Sequence, residues 1–148
     1  MKTLKFDTCF DDCKIADFAH LLPDTYRELN KYCPWRRGKW PTRVRCMSNA
    51  QIISGRKRGA GHGFTYNQGN DQRYIWMNPH MSPLGLWLVF IHENLHHGFP
   101  DATEDELNNV HVPHIYEEVT GKKLNKKAAR KAGLGPPQPG IGDRGFLR

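Results

Sequence analysis

The sequence contains no run approaching the roughly 18–20 apolar residues that a membrane-crossing helix requires, so no membrane partner is expected. Its first residues, Met1 to Asp7, lack a continuous apolar stretch and a small-residue cleavage site, and a cytoplasmic protein is the expectation. Cysteine is scarce: Cys9, Cys13, Cys33 and Cys46 are the whole set, and none forms a close Cys-x-x-Cys pair. That spacing argues against a structural zinc knuckle, and without an export signal free thiols are expected. There is no internal repeat. The glycine-rich basic stretch 55–63 lacks the strand-loop-helix frame and terminal Lys-Ser/Thr of a phosphate loop, which excludes a nucleotide site of that kind.

What is present fits one folded domain. The 148 residues are 38% hydrophobic and include four tryptophans, seven phenylalanines and five tyrosines, enough bulky material for a core. Charge is uneven. Residues 1–121 balance fourteen basic against fourteen acidic side chains, whereas 122–148 hold eight basic residues and one acid, Asp143, and so carry the whole net charge of +7. The sequence therefore divides into a domain over 1–121 and a basic tail over 122–148. From Gly133 onward the tail is rich in Gly and Pro and should be extended or disordered unless a partner holds it.

A second basic segment runs from Lys31 to Arg73, with ten basic residues and a single acid, Asp71. Trp35 and Trp40 are interleaved there with Arg36, Arg37 and Lys39, and Arg56-Lys57-Arg58 follows. Rings alternating with cations suit a nucleic-acid backbone or another anionic partner, a virion component included. A solvated basic face is the plainer alternative.

Hydrophobic spacing predicts helical structure over 13–32, as two short helices or one restarting near Asp24 after Pro23. Residues 33–42 read as loop, and Arg43–Met47 and Gln51–Ser54 as short strands. Phe64–Tyr66 and Arg73–Met77 read as a hairpin around the polar loop 67–72. The strongest signal follows. Ser82 is a good cap, Pro83 suits the first helical position, Leu84, Leu88, Ile91 and Leu95 recur at helical spacing, and Gly98 stops the run. Thr103-Glu104-Asp105-Glu106 is a capping box that opens a further helix, with Pro113 as its kink or restart.

The central helix carries His92-Glu93-Asn94-Leu95-His96. Histidines four apart on a helix project from one face and can share a tetrahedral zinc. Glu93 is rotated away from the pair and can act as base toward a metal-bound water. Burying these groups in an oily helix costs a few kcal/mol unless something satisfies them. Hydrogen-bonded core histidines without metal are the alternative. A catalytic zinc takes a third protein ligand, and Glu104, His111 and His114 lie on one side of the second helix if it stays regular. By chemistry alone His111 is as good as Glu104, and Glu104 is also explained as an acid favoured at a helix N-terminus. His97 is expected to point away from His96, as a residue supporting the site from behind or on the surface, and His20, His62 and His80 lie outside the cluster. Tyr116 reads as core in preference to an oxyanion donor.

The string from Phe90 to Glu104, with His-Glu-x-x-His on a helix entered from a hairpin, resembles the zincin metallopeptidases. It looks most like the small phage and prophage metallopeptidases and more distantly like SprT-like proteases, over about residues 64–119. Ala102 stands where a metzincin would have its third histidine, and no His-Gly pair of the SprT-like kind follows residue 98. The resemblance implies a zinc-dependent hydrolase acting on a peptide or protein, with His92 and His96 as ligands and Glu93 as base. It implies Glu104 as third ligand by a narrow margin, with His111 close behind. It also implies a phage-type protein of the host cytoplasm or virion. The competing function is a nucleic-acid- or particle-associated protein with a vestigial zinc site. The fold expected is α+β: a small antiparallel sheet packed on the central helix, with a further ligand-bearing helix. A substrate strand would lie along Arg73–Met77.

Overall fold

A computed structural model describes residues 4–67 and 72–132. Its strands are β1 (Lys5–Phe6), β2 (Arg43–Cys46), β3 (Gly63–Thr65) and β4 (Tyr74–Met77). They form one four-stranded sheet in the order β1-β2-β4-β3. The α+β expectation agrees with this architecture, but the sheet is not antiparallel. β1–β2 and β2–β4 run parallel, and only the β3–β4 pair is antiparallel. Two α-helices and a short 3-10 helix (Pro34–Arg36), within the stretch expected as loop, separate β1 from β2, and such crossover connections return the chain in the same direction. β4 is paired on both sides, so the expected place for an added strand along 73–77 does not exist, and β3 forms the edge on that side.

The segment 13–32 forms two helices, α1 (Asp12–Ala19) and α2 (Leu22–Tyr32). Asp11 caps α1 by accepting hydrogen bonds from the backbone N–H groups of Cys13 and Lys14, and Pro23 falls in the first turn of α2, where its missing N–H costs little. Residues 51–54 are not a strand. They belong to α3 (Asn49–Arg56), which Ser48 and Gln51 open with a reciprocal capping box. That local signal outweighs the β-branched pair Ile52-Ile53.

Helix α4 (Pro83–Gly98) is the centre of the domain: every residue from Gly85 to Gly98 is buried. Ser82 accepts a hydrogen bond from the Gly85 N–H at its start. Leu86, Leu88, Phe90, Ile91 and Leu95 are all fully buried, each contributing about 1.5–3 kcal/mol of apolar transfer free energy. The inner face of the sheet, with Val44, Ile75 and Met77, packs in the same core. No helix among the described residues is long and apolar enough to cross a membrane.

The helix opened by Thr103 is not regular. α5 (Glu104–Glu106) runs into a π-turn over Leu107–His111, and α6 (Val112–Thr120) follows. Pro113 lies in the first turn of α6 and has no N–H to donate backward, so the widened turn falls just before it. Gly121, with a φ of 72°, ends α6 in the left-handed conformation that glycine adopts without cost. The basic tail begins with another helix, α7 (Lys126–Lys131), whose Ala129 is buried in the main core. The predicted extended segment from Gly133 lies outside the described residues, as does most of the loop 67–72.

The cysteines are not all free thiols. Cys9 and Cys46 form a disulfide with a Cα–Cα distance of 6.3 Å, while Cys13 is exposed and Cys33 buried. Parallel pairing of Phe6 with Val44 brings Cys9, just after β1, beside Cys46 at the end of β2, a proximity that spacing along the chain does not reveal.

Candidate metal centre

Three side chains from two elements converge. His92 and His96 lie one turn apart on α4, with ring centroids 4.9 Å apart. Glu104, at the start of α5, reaches both: Oε2 is 2.9 Å from His92 Nε2 and Oε1 is 3.1 Å from His96 Nε2. One ligand atom from each of the three lies within 4.8 Å of the others, so the group could hold a metal ion. Two imidazoles and a carboxylate suit zinc and other divalent ions alike.

His92 carries the more specific signal. Its Nδ1 lies 2.8 Å from Asn108 Oδ1 and its Nε2 faces Glu104. Both ring nitrogens therefore face oxygen acceptors, and the ring is fully buried. A neutral imidazole has only one N–H. With Nδ1–H donating to Asn108, Nε2 can face a carboxylate only if a second proton or a metal ion stands between them. Hydrogen bonding of the remote nitrogen to a fixed oxygen is the usual support of a metal-binding histidine. Burial opposes the charge on Glu104, but hydrogen bonds from His92 and His96, and their charge, bring its carboxyl down to about 2.

The π-turn decides which residues reach this point. A regular helix turns about 100° per residue and would put Glu104, His111 and His114 on one side, whereas a π-turn advances roughly 80° per residue. Over Leu107–His111 that lag accumulates to about a quarter turn. The structure accordingly does not bring His111 to the cluster. Its Nδ1 lies 2.6 Å from the Tyr32 hydroxyl and its ring stacks on Phe99 at 4.1 Å. His114 is exposed and stacks on Tyr32. The same widened turn carries Asn108, a residue with no signature in the sequence, to His92.

Glu93 is fully buried beside His92 on α4. The first residue of β3 passes close over it: a Cβ on Gly63 would stand 3.3 Å from Glu93 Oε2 and 2.8 Å from Val89 Cγ1. A side chain there would crowd the carboxylate, which is why glycine suits the position. His62, just before it, is near enough to His92 for charge repulsion. Burial, then Arg56 and His92, hold its imidazole below the ordinary range.

His97 is neither a ligand nor a surface residue. Its Nε2 lies 2.7 Å from Thr65 Oγ1, and that hydroxyl donates to the Tyr74 carbonyl, so Nε2–H is the donor. Burial, then Arg36 and His96, bring His97 down to about 3 and keep it neutral, tying α4 to the β3–β4 pair. Asn94 donates to the Phe90 carbonyl within its own helix. Tyr116 packs beside Trp87. His20 and His80 are exposed.

Trp35 and Trp40 do not stand together on one surface with Arg36, Arg37 and Lys39. Trp40 is core, only 7% exposed, with Nε1 donating to Asn30 Oδ1. Trp35 is exposed, but its Nε1 donates to the Gly98 carbonyl and its ring packs on Phe99. Arg36 is half-buried, donates to the Lys39 carbonyl, and is held by burial below the ordinary arginine range. Arg37 and Lys39 are exposed. Arg56, Lys57 and Arg58 are exposed at the C-terminal end of α3, where the helix dipole favours cations.

Comparison with protein families, curated proteins and solved structures returned no match.

Proposed function

We propose that this chain is a metal-dependent hydrolase of the zincin type, a zinc metallopeptidase by first preference. The observation that carries the reading is the convergence of His92, His96 and Glu104 with Asn108 behind His92. Bound there, a divalent ion would supply an acidic water and polarise a carbonyl oxygen. His92, His96 and Glu104 would hold it, and Asn108 would keep His92 oriented with Nε2 toward it. Glu93 has the chemistry to take the proton from that water and return it to the leaving group. The edge strand β3, whose Gly63 lies against Glu93, offers the backbone along which an extended peptide would align.

The test combines elemental analysis with turnover of an unstructured protein substrate. The native chain should hold one zinc, His92→Ala/His96→Ala none, and Glu93→Gln should keep the zinc while losing turnover. Turnover that survives Glu93→Gln, or a chain that takes no zinc on reconstitution, would overturn the proposal.

A further inference from the structure

The sheet has a second face, and its composition is unlike that of a solvated surface. Arg43 pairs in register with Tyr74, and Arg45 with Trp76. Trp76 in turn faces Phe64 across the antiparallel pair. These residues alternate with Val44, Ile75 and Met77, which face the core, so they stand together on the opposite side. Lys5 extends the Arg43 row onto β1.

Rings and cations interlock there. The Arg45 guanidinium lies 5.4 Å from the Tyr74 ring centroid and 6.0 Å from that of Trp76, and Arg73 lies 4.9 Å from Tyr74. Tyr66 meets Trp76 edge to face at 5.6 Å and is 37% exposed. Ile52 of α3 and Met47, just before that helix, cluster with Phe64 and pack against Trp76, whose ring stacks on Phe64 at 5.0 Å. The cations outnumber their counterions. Asp7 is the only carboxylate paired with them among the described residues, 2.8 Å from Arg43 and 3.6 Å from Arg45, and both arginine side chains remain about half exposed.

We propose that this face binds single-stranded nucleic acid. Its excess positive charge complements a phosphate backbone, and half-exposed rings spaced along neighbouring strands offer stacking surfaces to unpaired bases. An acidic protein would use the cations, but unpaired bases also offer flat faces that match the rings, and a duplex keeps its base faces hidden. This inference is independent of the hydrolase proposal, because the metal cluster lies across the sheet, on α4 and α5.

The test is fluorescence anisotropy of a labelled oligothymidylate with the full chain over a range of salt, with heparin as a base-free polyanion for comparison. Each phosphate neutralised on a single strand contributes about 0.7 to the slope of log affinity against log salt, so Arg45→Ala/Arg73→Ala should reduce that slope by about 1.4. Tyr74→Leu keeps an apolar side chain but removes the ring, and should weaken oligothymidylate binding about five- to 150-fold while leaving heparin binding unchanged. Tyr66→Ser, at an exposed position, repeats the measurement if Tyr74→Leu unfolds. Circular dichroism melts establish that the compared variants are folded. No binding at about 50 mM salt overturns the proposal. So does affinity unchanged in the arginine variant, which assigns binding to the basic tail. Equal losses for heparin and oligothymidylate in the ring variants, or tighter binding of a duplex, overturn it in favour of a charge-only surface.

Discussion

Replacing Asn108 by alanine takes away the oxygen that faces His92 Nδ1 at 2.8 Å without touching any of the three candidate ligands. His92 is fully buried, so water replaces that acceptor poorly, and the lost hydrogen bond should cost the metal-free protein about 1–3 kcal/mol. The ring would also lose the partner that fixes its tautomer. Metal-binding histidines deprived of that support lose about 10–100-fold in metal affinity, which is about 1.4–2.8 kcal/mol. Competition of zinc between the protein and a chromophoric chelator, at constant pH, measures the affinity, and denaturant unfolding of the metal-free chain measures the stability. Asn108→Asp should move affinity the other way, since a carboxylate makes the imidazole a stronger donor. An Asn108→Ala protein that binds zinc within about twofold of the native chain would refute the reasoning and reduce the π-turn to a packing feature.

Glu104→Ala should remove most zinc affinity, whereas His111→Ala should leave it intact and cost about 1–2 kcal/mol of stability through the lost Tyr32 contact, as the same chelator competition and unfolding curves would report. The Cys9–Cys46 disulfide spans a sequence separation of 37, for which loop-closure entropy predicts about 4 kcal/mol, so Cys9→Ser should lower the unfolding free energy by about 2–4 kcal/mol. Burial, opposed by Arg36, pushes the Cys33 thiol up to about 12. The folded chain should keep it protonated at pH 9, where alkylation followed by mass spectrometry should label exposed Cys13 and spare Cys33 until denaturant is added. Because the unfolded thiol ionises near pH 8.5 and the folded one does not, Cys33 should also lower stability as pH rises above that value. Thr65→Val should cost about 1–3 kcal/mol by leaving His97, buried and neutral, without its acceptor; a smaller loss in the unfolding curve would mean that the link from α4 to β3 contributes little.

Elements with a local cause are legible along the chain. Ser82, Pro83 and the spacing of Leu84, Leu88, Ile91 and Leu95 define α4 without reference to anything distant, and the four-residue interval puts His92 and His96 on one face. The Thr103–Glu106 capping box marks the start of the next helix for the same reason. What the sequence left open depended on how distant segments meet. On a regular helix Glu104 and His111 are equivalent by chemistry, and the π-turn before Pro113 separates them by carrying one to the histidines and the other to Tyr32. The direction of the sheet followed from helical crossovers that bring β1 beside β2, and the same pairing joined Cys9 to Cys46. Trp40 and Trp76 carry no mark along the chain to say that one is core and the other part of an open face. Caps and periodicity act over a turn or two of chain, whereas strand pairing, helix register and burial are set by contacts between segments far apart in sequence, and those exist only once the domain has closed.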